Sequence, residues 1–244
     1  MKRFYLIIWT LALTASLCMV FTTCKKDSND TTTSGGEEPG GEEPGDDEDI
    51  TINATDIIIK GSDSNLKTVK GIVYGDNNTD NPITIASCKY ANKSFKLDLP
   101  DNINKHLYEV SFDEDNDIVI SDPKAKWADL WISGYDDDDN EVGGFGWGSS
   151  DNEYNYYADY YYADKNFTVK GTETHTYELS AVYTFINKWD CSIKKGWNIV
   201  YRKVLCVENE NGTTWTSTHT MQKPAGVTFE WSYIEYPPFP KHRR

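Results

Sequence analysis

Three groups of residues in this chain have types and spacing that suit them for chemistry. Cys24 follows an apolar run over residues 4–21 and the small polar pair Thr22-Thr23, so its thiol stands where an acyl group can be attached. Asp113, Asp115 and Asp117 occupy alternate positions, as do Asp136, Asp138 and Asn140. Alternating oxygen ligands are the way a calcium loop surrounds its ion. The third group is aromatic: 8 Trp, 16 Tyr and 9 Phe, with six tyrosines crowded into Tyr154, Tyr156, Tyr157, Tyr160, Tyr161 and Tyr162.

The acidic runs fail the calcium template at two places. Its sixth position requires Gly and its twelfth Glu, whereas the first run places Ile118 and Lys124 there and the second Glu141 and Trp147. A hairpin turn over Tyr135–Val142, between strands around Trp131 and Phe145, is the expectation instead, because Asp and Asn tolerate turn dihedrals. His106, His175, His219 and His242 have no metal-type spacing to one another or to a cysteine, so neither metal nor cofactor is expected. Gly146-Trp147-Gly148-Ser149-Ser150 places its glycines wrongly for a nucleophile elbow. Carboxylate pairs suited to glycoside hydrolysis are too numerous for the sequence to rank. No catalytic residue is assigned, and a non-enzymatic role is expected. Cys88, Cys191 and Cys206 leave an odd number of thiols once Cys24 is set aside. Hairpins centred at Lys194-Lys195 and Asn209–Asn211 would pair Cys191 near Ile199 and Cys206 near Thr214, so no disulfide is expected.

Met1-Lys2-Arg3, the apolar run and the Thr-Thr-Cys junction have the layout of a cleaved export signal over residues 1–23. A cysteine at that junction reads as a lipoprotein signal, with Cys24 diacylated and the new N-terminus. Two acyl chains, at about 0.8 kcal/mol per buried CH₂, hold a protein on a bilayer where one does not. Residues 24–49 carry ten acids, two lysines and Gly-Gly-Glu-Glu-Pro twice over. With nothing to bury, this segment reads as a disordered tether spanning roughly 28 Å as a Gly-rich coil. The formal net charge of −15 argues against nucleic acid as a partner. Cys24-Lys25-Lys26-Asp27 with acids close behind resembles the N-terminus of Bacteroidota-type surface-exposed lipoproteins. That resemblance implies an outer-membrane, lipid-anchored protein facing outward, with the membrane as its first partner.

Residues 50–244 show period-2 alternation throughout. Phe95, Leu97 and Leu99 share one face; so do Tyr177, Leu179, Ala181, Tyr183 and Phe185; so do Trp197, Ile199, Tyr201, Lys203 and Leu205; and so do Val227, Phe229, Trp231 and Tyr233. Gly, Asn and Asp clusters separate the runs at 75–81, 135–140, 187–190, 194–196 and 208–212. The expectation is an all-β, antiparallel β-sandwich. A lipocalin-like barrel or two small β-units with a seam at 148–164 are the alternatives. Lys70-Gly71-Ile72-Val73-Tyr74, Ile83–Ser87 and Ser94–Pro100 resemble a transthyretin-like or carboxypeptidase-regulatory-like sandwich. The resemblance implies a structural or binding module without catalysis.

Flat aromatic faces beside Asp and Asn acceptors suit wet binding surfaces. Trp131, Trp147, Tyr154, Tyr157 and Tyr161 are therefore the candidate ligand-binding residues, forming a platform around the acidic hairpin, with an extracellular glycan as the expected ligand. The alternative is a structural or adhesive module, or an outer-membrane complex subunit, that contacts surface proteins.

Overall fold

A computed structural model describes residues 25–26, 50–75, 82–112, 116–178, 181–210 and 212–237. The export signal, Cys24, residues 27–49, and Asp113 and Asp115 lie outside the described residues. The fold is all-β, consistent with a sandwich and not closed into a barrel. One fourteen-stranded sheet dominates, and a two-stranded sheet packs on it.

The long strands arise where β-branched and aromatic residues alternate with polar ones. They are β9 (Lys126–Tyr135), β10 (Glu141–Ser150), β11 (Tyr154–Ala163), β12 (Phe167–Glu178), β13 (Val182–Ile193), β14 (Gly196–Asn209) and β15 (Gly212–Thr220). With β3 (Ile58–Lys60), β8 (Asp117–Ile120) and β16 (Glu230–Glu235) they run in the order β3-β16-β10-β9-β11-β14-β15-β13-β12-β8. Branching from β9 are β7 (Tyr108–Glu109) and β4 (Thr68–Tyr74), the latter paired with β5 (Pro82–Lys89). The small sheet joins β2 (Thr51–Ala54) to β6 (Phe95–Asp98). The strands of the transthyretin-like pattern are thus β4, β5 and β6, with β6 paired to β2. From the segment expected to be the tether, β1 (Lys25–Lys26) lies parallel to β14.

Most pairings are antiparallel, but β15 lies parallel to β13 while antiparallel to β14. It inserts between two strands that follow each other in the chain. Gly212 allows that entry: its φ is +143°, and a Cβ there would come within 2.0 Å of the Val182 carbonyl oxygen. The insertion corrects the expected Lys194-Lys195 hairpin ladder, because Cys191 pairs with Val169 of β12 and not near Ile199. Cys206 pairs with Trp215, and Cys88, Cys191 and Cys206 are free thiols. The run Tyr177–Phe185 is likewise divided between two strands, with Tyr177 opposite Tyr183 in the β12–β13 ladder. The cluster at 187–190, expected to be a turn, is the interior of β13.

The register divides the sheet into two faces. Leu130, Ile132, Trp147, Tyr160, Trp231 and Tyr233 face the small sheet and pack on Ile52, Ala54, Phe95 and Leu97. The opposite, inner face carries Trp127, Tyr161, Val169, Cys191 and Val200, covered by Val110 and Phe112. Trp127 and Trp189 lie four strands apart and offset along them by the stretch from Ala163 to Tyr157, roughly 28 Å on a flat sheet, yet their ring centroids are 6.0 Å apart. The sheet therefore curls strongly around its inner face. The segment 148–164 is no seam, since β11 pairs with β9, β10 and β14 and ties the sheet together.

Candidate functional site

On the outer side, Trp147 of β10 is the direct cross-strand partner of Trp231 on β16, and the two rings stack 6.0 Å apart at 11°. Phe229 adds a third ring 5.4 Å from Trp147, and Tyr160 supports it from β11 at 6.3 Å. Trp231 is buried, whereas Trp147 and Phe229 keep part of their ring surface open. They form the floor of an open groove of about 290 Å³. Its rim is polar and exposed: Asn53 from the outward-pointing position of β2, Thr55 and Asp56 from the turn that follows, and Glu230 at the start of β16. Asp56 has φ +53°, a conformation Asp tolerates better than most residues. The groove can hold a flat, partly apolar ring by stacking while acceptors on the rim take its hydroxyls. It has no nucleophile paired with a base.

The five expected binding residues do not share a surface. Trp147 is in the groove, and Tyr154 is on the same face of the sheet, beneath the Lys203 ammonium at 3.5 Å from its ring centroid. Tyr157, Tyr161 and Trp131 are on the inner face. Side chains alternate along a strand, so Tyr154 and Tyr157 point in opposite directions. Tyr157 is only 8% exposed, with the Arg202 guanidinium 4.6 Å from its ring centroid. Tyr161 packs 5.1 Å from Trp127, and burial pushes its phenol well above the ordinary range. Trp131 meets Tyr74 edge-on at 6.3 Å and donates its indole N–H to Asp129 at 2.6 Å. The tyrosine platform is thus corrected: β11 is a central strand covered on both faces, and its rings are mostly core.

Around these rings lie groups that sequence inspection missed. Asp129 accepts from the Tyr108 hydroxyl at 2.9 Å as well as from Trp131. Its burial raises the carboxyl pKa in spite of those two bonds. Arg202 donates to Asp159 at 2.9 Å. The acidic hairpin is a turn. Asp136 accepts from the Asp138 and Asn140 amides at 3.0 and 2.8 Å, and Lys70 pairs with Asp139. Hydrogen bonds from the Asn140 side chain and backbone hold the Asp136 carboxyl below its usual range. Among the described residues, no cluster of His, Cys, Asp and Glu is placed to hold a metal ion. The rim residues Asn53, Asp56 and Glu230 gave no local sequence signal, because only the fold brings β2 beside β16. No family model, curated protein or solved structure matches this chain.

Proposed function

We propose that this chain is a cell-surface lipoprotein, anchored through Cys24, whose β-domain binds an extracellular glycan without catalysis. The observation supporting the reading is the groove at Trp147. It joins half-open aromatic rings to exposed Asp, Glu and Asn side chains, the pairing a sugar requires. Stacking handles the apolar face of the sugar, and the rim acceptors fix its hydroxyls. Binding at such a wet site is weak, micromolar to millimolar, because each contact displaces water that was itself well bonded. The carboxylates Asp56 and Glu230 favour neutral over anionic sugars.

The test is a glycan array probed with the full chain extracted in mild detergent. At least one neutral glycan is expected to bind. Trp147→Ala should remove the signal, and Asp56→Asn with Glu230→Gln, which exchange each charged acceptor for a neutral one, should weaken it about tenfold, about 0.7 kcal/mol at each position. An array without hits, or hits indifferent to both variants, would overturn the reading.

A further inference from the structure

Two carboxylates stand on the rim of the Trp147 groove with nothing to pair them. Among the described residues, the side chains of Asp56 and Glu230 form no hydrogen bond or ion pair, and both are exposed. They come from different elements, Asp56 from the turn after β2 and Glu230 from the first position of β16. A third acid close by is committed: Asp98 accepts from the Thr51 hydroxyl at 2.8 Å and pairs with Lys96 at 3.3 Å. Lys96 is the cross-strand partner of Asn53 on the rim, so this ion pair engages the cation next to the groove. No Lys, Arg or His is among the described residues that line it.

We infer that the groove selects a cationic sugar, one whose ring carries a free, protonated amine in place of a hydroxyl. The inference rests on the glycan reading of the same groove and adds the charge of the ligand to it. To a neutral sugar the two carboxylates are acceptors only. A protonated amine meets them as an ion, and hydrogen bonds assisted by charge are about twice as strong as those between neutral groups. From below, the faces of Trp147 and Phe229 attract a cation through the ring quadrupole. Floor and rim therefore act on one group from two sides.

One floor ring already holds a cation. Lys223, exposed and outside the groove lining, places its ammonium 5.7 Å from the Phe229 ring centroid. The formal net charge of −15 draws cations toward the chain and repels anions. The indoles of Trp147 and Trp231 are parallel within 11°, so the open part of the floor is a flat bed on which a ring can stack. An amine carried on a linear side chain would leave that surface unused.

Three β-1,4-linked tetrasaccharides separate charge from shape, because they share one backbone and differ only at C2: glucosamine with its free amine, N-acetylglucosamine, and glucose. The full chain, extracted in mild detergent, is titrated with each by calorimetry at pH 6 in low salt. The amine form should bind about tenfold more tightly than the glucose form, the work of two exposed ion pairs. Added salt should narrow that gap, and at pH 9, where the sugar amine has lost its proton, it should close. Asp56→Asn with Glu230→Gln should bring the amine and glucose forms within about twofold of each other at an unchanged melting temperature. Equal affinity of those two forms for the parent chain would sink the charge selection and leave the glycan groove standing. Silence from all three sugars would sink it as well, and the groove reading falls with it only if the array is also without hits. A preference that survives the double variant, or a tetralysine peptide that binds as tightly as the amine tetrasaccharide, would overturn the assignment of a cationic sugar to this groove.

Discussion

The outer groove and the inner face are built from the same residue types, Trp and Tyr beside Asp, Glu and Asn, and the fold uses them in opposite ways. In the groove the rings form the floor and the carboxylates remain in water. On the inner face Asp129 is held by Tyr108 and Trp131, Asp159 by Arg202, and the rings close over them. Water decides the difference. An exposed carboxylate is a free acceptor, whereas a buried one must be paired before the chain can fold. Aromatic content alone therefore marks neither a site nor a core, and the state of the flanking polar groups separates the two.

The sharpest way to break this comparison is to remove one ring from each side. Tyr161→Ala opens a cavity in the inner core beside Trp127, and about 3–5 kcal/mol of stability should be lost. Trp147→Ala takes away a ring that keeps part of its surface in water at the groove floor, and about 2 kcal/mol is the expected cost. Urea midpoints at unchanged m-value measure both. Equal losses would mean that the groove floor is core as well.

A smaller effect separates a shielded ion pair from an exposed one. The side chains of Arg202 and Asp159 are 19% and 32% exposed, whereas Asp139, opposite Lys70, is 71% exposed. Arg202→Met strands Asp159 and uncovers the Tyr157 ring, for an expected loss of about 2–3 kcal/mol. Adding Asp159→Asn should recover part of it. Lys70→Met at the acidic turn should cost less than about 1 kcal/mol. The same midpoints, in low and high salt, check the ranking, and a larger loss at Lys70 would reverse it.

The all-β class was legible because alternation survives in nearly every strand. The turn at Asp136–Asn140 was legible too, since short acidic side chains cap their own backbone there. Strand identity was harder to read. Tyr177 and Tyr183 share a face, as their alternation implies, but they belong to two strands and sit opposite each other in the ladder. Nothing local announces that β15 enters between β13 and β14, since that depends on which edges remain unpaired once the hairpins have formed. The site was legible in one residue of five. Trp147 sits in the groove, whereas the β11 tyrosines reach both faces of a strand that neighbours cover on every side. Composition registers the rings without the layers above and below them.

The finest distinction lies in pH. Burial, then the nearby positive charge of Arg202, holds the His219 pKa well below its ordinary 6.5. In the unfolded chain this imidazole takes up a proton near pH 6.5, whereas in the folded chain it stays neutral. Between those two pKa values the unfolded state binds more protons, so stability falls as pH is lowered, with a slope approaching about 1.4 kcal/mol per pH unit. The contribution of His219 is complete above pH 6.5 and declines below it. His219→Phe keeps a ring against Trp189 and removes the titration, so its melting temperature should change less between pH 7 and pH 5.5 than that of the parent chain. The groove has no histidine, so Trp147→Ala should lower the melting temperature by the same amount at pH 7 and at pH 5.5. A parent profile already flat from pH 7 to 5.5 would mean that water reaches His219 and that the inner face is as wet as the groove.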